Sequence, residues 1–299
     1  MTKILIADGM DKAALELLKS IPGFEVTVNK GMSEAELIQA VPGTSAVVVR
    51  SASRITRPVI EAGKDLKVLV RAGIGLDNID RDAAKEKGIF VANTPAATSI
   101  TVAEHTFGLM LGAVRNHAKA VLSMKAHKWD KKSLEGTELF GKTLGIIGCG
   151  RIGIEVAKRA LAFGMTVVCY DPIVVKTDLA IKQVPLDELL AAADLITLHV
   201  PKQAKPILGE AEFAKMKTGV IIINVARGGV VDEKALLGAL NSGKVRAAAL
   251  DVFDKEPPED FSLVDHPNVI PIPHLGAAAA EGQQRAGLEV VRILKEKLA

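Results

Sequence analysis

The sequence predicts an α/β protein built on two doubly wound parallel sheets. Short Val/Ile/Leu runs alternate with amphipathic segments along the whole chain, the pattern left by strands buried on both faces and joined by helical crossovers. The 299 residues exceed the usual size of one domain, so two cores are expected. Aromatic residues supply 3% of the chain and apolar residues 48%, so alanine and the aliphatic side chains must build both interiors.

Five strands are predicted before residue 94, at Ile4 to Ala7, Val26 to Val28, Ala46 to Val49, Val68 to Val70 and Ile89 to Ala92, with Lys12 to Ser20 and Glu34 to Ala40 among the intervening helices. Pro95 stands in a loop before a long predicted helix, Thr101 to about Lys125, that bridges to a second series. Its strands are predicted at Thr143 to Ile147, Thr166 to Tyr170, Leu195 to Val200, Val220 to Asn224, Ala247 to Val252 and Val269 to Pro273. The stretch from Glu281 to Leu298 reads as a helix with no strand of its own. Packed back on the first domain, it makes that domain discontinuous, residues 1–93 and 275–299, with residues 94–274 inserted as the second. Ligands of open α/β sheets bind outside the carboxyl ends of the strands, so a cleft between the domains is the expected site.

A formal charge of +3 gives no footprint for nucleic acid, and the cluster Lys128, Lys131 and Lys132 beside Trp129 is short enough to be a solvated loop. Cys149 and Cys169 form no C-x-x-C, and no His stands at metal-ligand spacing, so neither disulfide nor metal is expected. No apolar run approaches the roughly 18 residues of a membrane span, and the start of the chain lacks a signal peptide's features. A cytoplasmic location without membrane partners is expected.

Thr143-Leu144-Gly145-Ile146-Ile147-Gly148-Cys149-Gly150-Arg151-Ile152-Gly153 reads as a buried strand, a G-x-G-x-x-G turn and a helix start. Gly148 permits the turn, Gly150 lets the backbone approach a pyrophosphate, and Gly153 lets helix and strand pack closely. With Arg151 and Ile152 opening the helix, free N–H groups would hold the phosphates. Asp171 ends the next strand, where a carboxylate can accept from adenosine ribose hydroxyls and repel a 2′-phosphate. These residues predict a Rossmann-type domain that binds NAD. Asp251 is a candidate for the nicotinamide end, and Cys149 reads as a small space-filling residue.

Arg227, Glu256 and His274 each lie near a predicted strand end of the same domain. Oxidising a hydroxy acid needs a base for the hydroxyl proton and a cation for the carboxylate and carbonyl oxygen. His274 suits the first need because its ordinary pKa lies near neutrality. Glu256 can hold the ring and stabilise its protonated form, and the planar fork of Arg227 suits a carboxylate.

At these residues the sequence resembles the D-isomer-specific 2-hydroxyacid dehydrogenases, in the stretches GCGRIG, NVARGGVVDEKALLGAL, AAALDVFDKEPP and PHLGA. The resemblance implies a discontinuous, flavodoxin-like substrate domain, the catalytic roles given above for Arg227, Glu256 and His274, and a homodimer formed through the cofactor domain with its long helical arm. Segments such as Val49-Arg50-Ser51-Ala52-Ser53-Arg54 and Arg71-Ala72-Gly73-Ile74-Gly75-Leu76-Asp77-Asn78 look like the branch of the family that acts on a phosphorylated 2-hydroxy acid. By that resemblance Arg50, Ser51, Gly73, Ile74 and Asn78 line the substrate pocket, and Arg50 and Arg54 are candidate phosphate partners. One departure is the run Ala277 to Ala280, where many relatives place a Ser-Thr pair. The chain also ends at Ala299, so neither the serine-binding regulatory domain of longer relatives nor its feedback is expected. Two rival readings stand beside this one, a reductase of glyoxylate or hydroxypyruvate with the same catalytic set, and a non-catalytic NAD-binding interaction protein.

Overall fold

The aliphatic runs fold as parallel strands. A computed structural model describes residues 1–298, which divide into two compact units, Met1–Ser99 together with the chain from Ala277, and Ile100–Gly276. In the first unit β1 (Thr2–Ile6), α1 (Lys12–Lys19), β2 (Phe24–Val28), α2 (Glu34–Ala40), β3 (Ala46–Val49), α3 (Arg57–Ala62), β4 (Val68–Arg71), α4 (Arg81–Glu86) and β5 (Phe90–Asn93) precede the last helix, α11 (Ala280–Leu298). The sheet order β2-β1-β3-β4-β5 is the flavodoxin-like order.

Alternating side chains divide that core into two faces, as the strand period of two requires. Ile4, Ile6, Val48, Val68 and Val70 pack with Leu18 of α1 and with Val290, Ile293 and Leu294 of α11. Leu5, Val47 and Leu69 face Leu37, Val59 and Ala83 of α2, α3 and α4. Gly287 lets α11 press on α1, since a Cβ there would stand 2.6 Å from that of Ala14.

The second unit runs α5 (Ser99–Val114), α6 (His117–Lys125), a 3-10 turn (Lys131–Leu134), β6 (Thr143–Ile147), α7 (Arg151–Ala162), β7 (Thr166–Tyr170), β8 (Ile181–Gln183), α8 (Leu186–Ala192), β9 (Leu195–Leu198), α9 (Glu210–Lys215), β10 (Val220–Asn224), α10 (Glu233–Asn241), β11 (Val245–Leu250) and β12 (Val269–Pro271). Its order, β12-β11-β10-β9-β6-β7-β8, reverses between β6 and β9 as in a Rossmann sheet.

Two local features depart from expectation. The long helix is broken after Val114, where Asn116 takes φ 55°, a left-handed conformation that Asn tolerates better than most residues. Its Nδ2 then donates to the Glu135 carbonyl at 3.1 Å. Strand β8 was not predicted, because three mostly exposed residues at a sheet edge carry no hydrophobic pattern. Among the described residues no helix is long and apolar enough to cross a membrane, and no group of three His, Cys, Asp or Glu could hold a metal ion.

Candidate active site

The predicted glycine motif forms the loop between β6 and α7, at the switch point of the second sheet. Gly148 has φ +92°, and a Cβ there would stand 2.5 Å from the His199 carbonyl oxygen after β9. At Gly153 a Cβ would stand 2.4 Å from the carbonyl oxygen of Gly148, so neither position admits a side chain without moving backbone. Gly150 is open on the side where a Cβ would point and caps α7 without any side-chain hydrogen bond to its first turn. The N–H groups that Arg151 and Ile152 begin are therefore available to an anion.

Asp171 follows β7 and reaches this loop. Its Oδ2 accepts from the Cys149 N–H at 2.9 Å and its Oδ1 from the Ile173 N–H at 3.0 Å. It is thus both a turn residue and a brace for the glycine loop, with lone pairs left for ribose hydroxyls. Cys149 and Cys169 are free and buried. Burial pushes the Cys149 thiol well above its ordinary range, which makes it a packed group with little thiolate character. A glycine cradle that only bare backbone can occupy, a helix N-terminus without a cap and a carboxylate at the next strand end fit a dinucleotide.

His274 and Glu256 meet directly, with 2.7 Å between Nδ1 and Oε2. The other Glu256 oxygen accepts from the Phe253 N–H at 3.2 Å. His274 has φ 53°, an uncommon conformation for such a residue, and its N–H is tied to the Asp251 carbonyl at 2.9 Å. Its hydrogen bond with Glu256 raises the His274 pKa, partial burial opposes this, the charges of Glu256 and Asp251 add to the rise, and that of Arg227 subtracts. Burial pushes the Glu256 carboxyl up, but the His274 bond and charge, the Phe253 N–H and Arg227 together hold it below its usual value.

Arg227 belongs to the same electrostatic group, since its charge acts on both partners. Asn224, at the end of β10, shapes its turn by accepting from the Ala226 N–H at 3.1 Å and donating to the Arg227 carbonyl at 3.0 Å. The guanidinium donates to the Ala226 carbonyl at 2.7 Å. The next residue, Gly228, lies against the turn before Glu256, where a Cβ would come within 1.9 Å of the Phe253 oxygen. The structure therefore brings Arg227, Glu256 and His274 together on adjoining turns after β10, β11 and β12.

In the first unit the loops at the carboxyl ends of β3 and β4 carry the predicted substrate residues, and the loop after β1 braces them. Asp8, which sequence reasoning missed, accepts from the Arg50 N–H at 2.7 Å and the Ser53 N–H at 3.0 Å, and also binds the Ser53 hydroxyl. Asn78 donates through Nδ2 to the carbonyls of Arg50 at 3.0 Å and Ser53 at 2.7 Å. These bonds fix the turn bearing Arg50, Ser51 and Arg54 at the switch point between β1 and β3. Ser51 and Arg54 are exposed and Arg50 is half-buried. The Gly73 carbonyl accepts from the Thr94 N–H at 3.0 Å, and that of Ile74 from Asn93 Nδ2. Asn78 is thus primarily a brace, with its donors spent on the backbone.

Two histidines of the second unit were also missed. His199 Nε2 lies 3.0 Å from Thr197 Oγ1, and burial pushes its pKa down to about 3, so the ring is neutral beside the glycine loop. His105 Nε2 lies 3.2 Å from Oδ1 of Asp251. A lone histidine within an apolar helix gives no sign in sequence of such a partner.

Residues 107–276 match the D-isomer specific 2-hydroxyacid dehydrogenase NAD binding domain. The chain is 51% identical over 300 residues to the hydroxypyruvate reductase of Thermotoga maritima, covering 98% of each. It is 49% identical to the D-3-phosphoglycerate dehydrogenase of Methanocaldococcus jannaschii over all of this chain but only 58% of that protein. Among solved structures, D-lactate dehydrogenase of Aquifex aeolicus, complexed with NAD and lactic acid, superposes with TM-score 0.87 at 30% identity over 98% of this chain and 94% of that one. The chain belongs to the D-isomer-specific 2-hydroxyacid dehydrogenases and uses NAD as its cofactor.

Proposed function

We propose that the protein is a D-3-phosphoglycerate dehydrogenase, interconverting 3-phosphoglycerate and 3-phosphohydroxypyruvate. The observation that carries this reading is the braced turn of Arg50 to Arg54. Among the described residues neither the Arg50 nor the Arg54 guanidinium has a carboxylate partner, although Asp8 and Asn78 hold the backbone beneath them. A phosphorylated acid carries a second anion besides its carboxylate, and the Arg50 and Arg54 guanidinium groups are suited to it. Gly73 and Ile74, after β4 of the same unit, also meet the substrate in this reading.

His274 is the acid and base of the reaction. In reduction it gives its proton to the carbonyl oxygen as the alcohol forms, and in oxidation it removes the hydroxyl proton. Glu256 holds Nδ1 and supports the imidazolium, leaving Nε2 for the substrate oxygen. Arg227 binds the carboxylate and polarises the carbonyl. NAD bound at the glycine loop would accept the hydride in oxidation, and its reduced form would give the hydride to the carbonyl carbon in reduction; Asp171 would accept from its ribose hydroxyls, and Asp251 orders the turn nearest His274. We further propose a cytosolic homodimer joined through the second unit. Val121 (52%), Leu122 (68%) and Met124 (55%) of α6, with nearby Trp129 (79%), are exposed to a degree that favours burial against a second copy.

Reduction requires protonated His274, so activity falls as pH rises through its pKa. Glu256 raises that pKa. In Glu256→Gln the basic limb of kcat/KM for keto-acid reduction should move to lower pH. A limb at the same pH would detach Glu256 from the histidine's chemistry.

The near-full-length match to a hydroxypyruvate reductase favours a second reading, a reductase of the unphosphorylated acid. NADH oxidation with phosphohydroxypyruvate, hydroxypyruvate, glyoxylate and 2-oxoglutarate separates the two. The phosphorylated acid should give the highest kcat/KM, and Arg54→Ala with Arg50→Ala should weaken it by about tenfold or more, the scale of one charge-assisted contact, while sparing hydroxypyruvate. Activity with hydroxypyruvate and none with its phosphate would establish the second reading.

A further inference from the structure

Asp251 follows β11 with a side chain only 1% exposed. Its oxygens accept from the N–H groups of Leu275 at 2.7 Å and Gly276 at 2.8 Å, the two residues after His274. A buried carboxylate has room for about four hydrogen bonds and is costly when short of them. The further donor is His105 of α5, whose Nε2 is 3.2 Å from Oδ1. Val102, on the same face of α5 as His105, packs over this turn, 3.9 Å from where a Gly276 Cβ would stand. One face of α5 thus supports the turn carrying His274 through an apolar contact and a polar one.

We propose that His105 is a positioning residue, donating to Asp251 and thereby fixing the turn that presents His274 to the substrate. The inference rests on the acid–base role proposed for His274. Glu256, Asp251 and Arg227 are the charged groups acting on His274, and Asp251 is the one that His105 touches. With its donor in place, the Asp251 carboxylate is held near the imidazole, where its charge adds to the effect of Glu256. Without that donor Asp251 keeps its two backbone partners but loses its tie to α5, so the turn is held less firmly and both the placement and the protonation of His274 suffer.

The test compares His105→Leu, which keeps volume and removes the donor, with His105→Gln, whose amide N–H can replace it. In His105→Leu, kcat for keto-acid reduction should fall about tenfold, the change that about 1.4 kcal/mol produces. KM for the keto acid should stay nearly constant, and the basic limb should move to lower pH. His105→Gln should recover most of the rate and return the limb towards its wild-type position. A leucine variant with unchanged kcat and pH limb would overturn the proposal, as would a glutamine variant as impaired as the leucine one. Should the leucine variant not fold, His105→Asn, polar but too short to reach Asp251, carries the same expectations. Retained turnover in His274→Asn would instead remove the acid–base reading itself, whereas an inactive His274→Asn beside a normal His105→Leu would remove only this inference.

Discussion

His274→Ala is expected to lower kcat in both directions by about 10²- to 10⁴-fold, the range supplied by a positioned general acid or base, while NADH binding stays close to wild type. The two effects separate because the imidazole pairs with Glu256 at 2.7 Å, whereas the nucleotide cradle lies at Gly148 to Gly153, after a different strand. His274→Asn is the better companion variant. Position 274 has φ 53°, which Asn adopts more readily than Ala, so its loss of rate reports the missing acid and not a displaced turn. Stopped-flow turnover with NADH fluorescence titration reads both quantities; unchanged turnover in either variant would remove His274 from its role.

Arg227→Ala should lower kcat/KM by about 10²- to 10³-fold, the cost of removing one preorganised donor from a developing oxyanion. The loss should be shared between a higher KM and a lower kcat, because in the role proposed for it the guanidinium would bind the carboxylate in the ground state and the carbonyl oxygen more strongly in the transition state. Its second signature has the opposite sign to that of Glu256→Gln. Arg227 lowers the His274 pKa, so removing it should carry the basic limb of reduction to higher pH. Arg227→Lys should recover only part of the rate, since an ammonium keeps the charge but loses the planar fork. A steady-state pH series on the three proteins checks these signs, and limbs moving together would contradict the assignment.

The parts legible from sequence are those in which one residue answers a local constraint. Gly148 and Gly153 could be read because a Cβ at either position meets backbone within 2.5 Å, a requirement that recurs wherever a strand turns tightly into a helix over a phosphate. Arg227, Glu256 and His274 could be read because each follows a strand of one parallel sheet, and the carboxyl ends of such strands converge. The contact of His105 with Asp251 spans 146 residues and joins a helix that reads as core to a strand end, so neither period nor spacing records it. Asp8 escaped for the same reason, lying 42 residues before the Arg50 N–H it holds. The break at Asn116 was hidden because neither Gly nor Pro marks it. Substrate choice is the least legible, since it depends on where long side chains stand around a bound acid, which neither period nor spacing records.

NMR titration of the His274 imidazole tests most directly whether Glu256 and Arg227 act on its charge in opposite directions. With histidine labelled and the signal assigned through His274→Asn, the wild-type pKa should lie above the ordinary value of 6.5. It should fall in Glu256→Gln and rise in Arg227→Ala. A His274 pKa at or below the ordinary value, indifferent to both substitutions, would contradict the account.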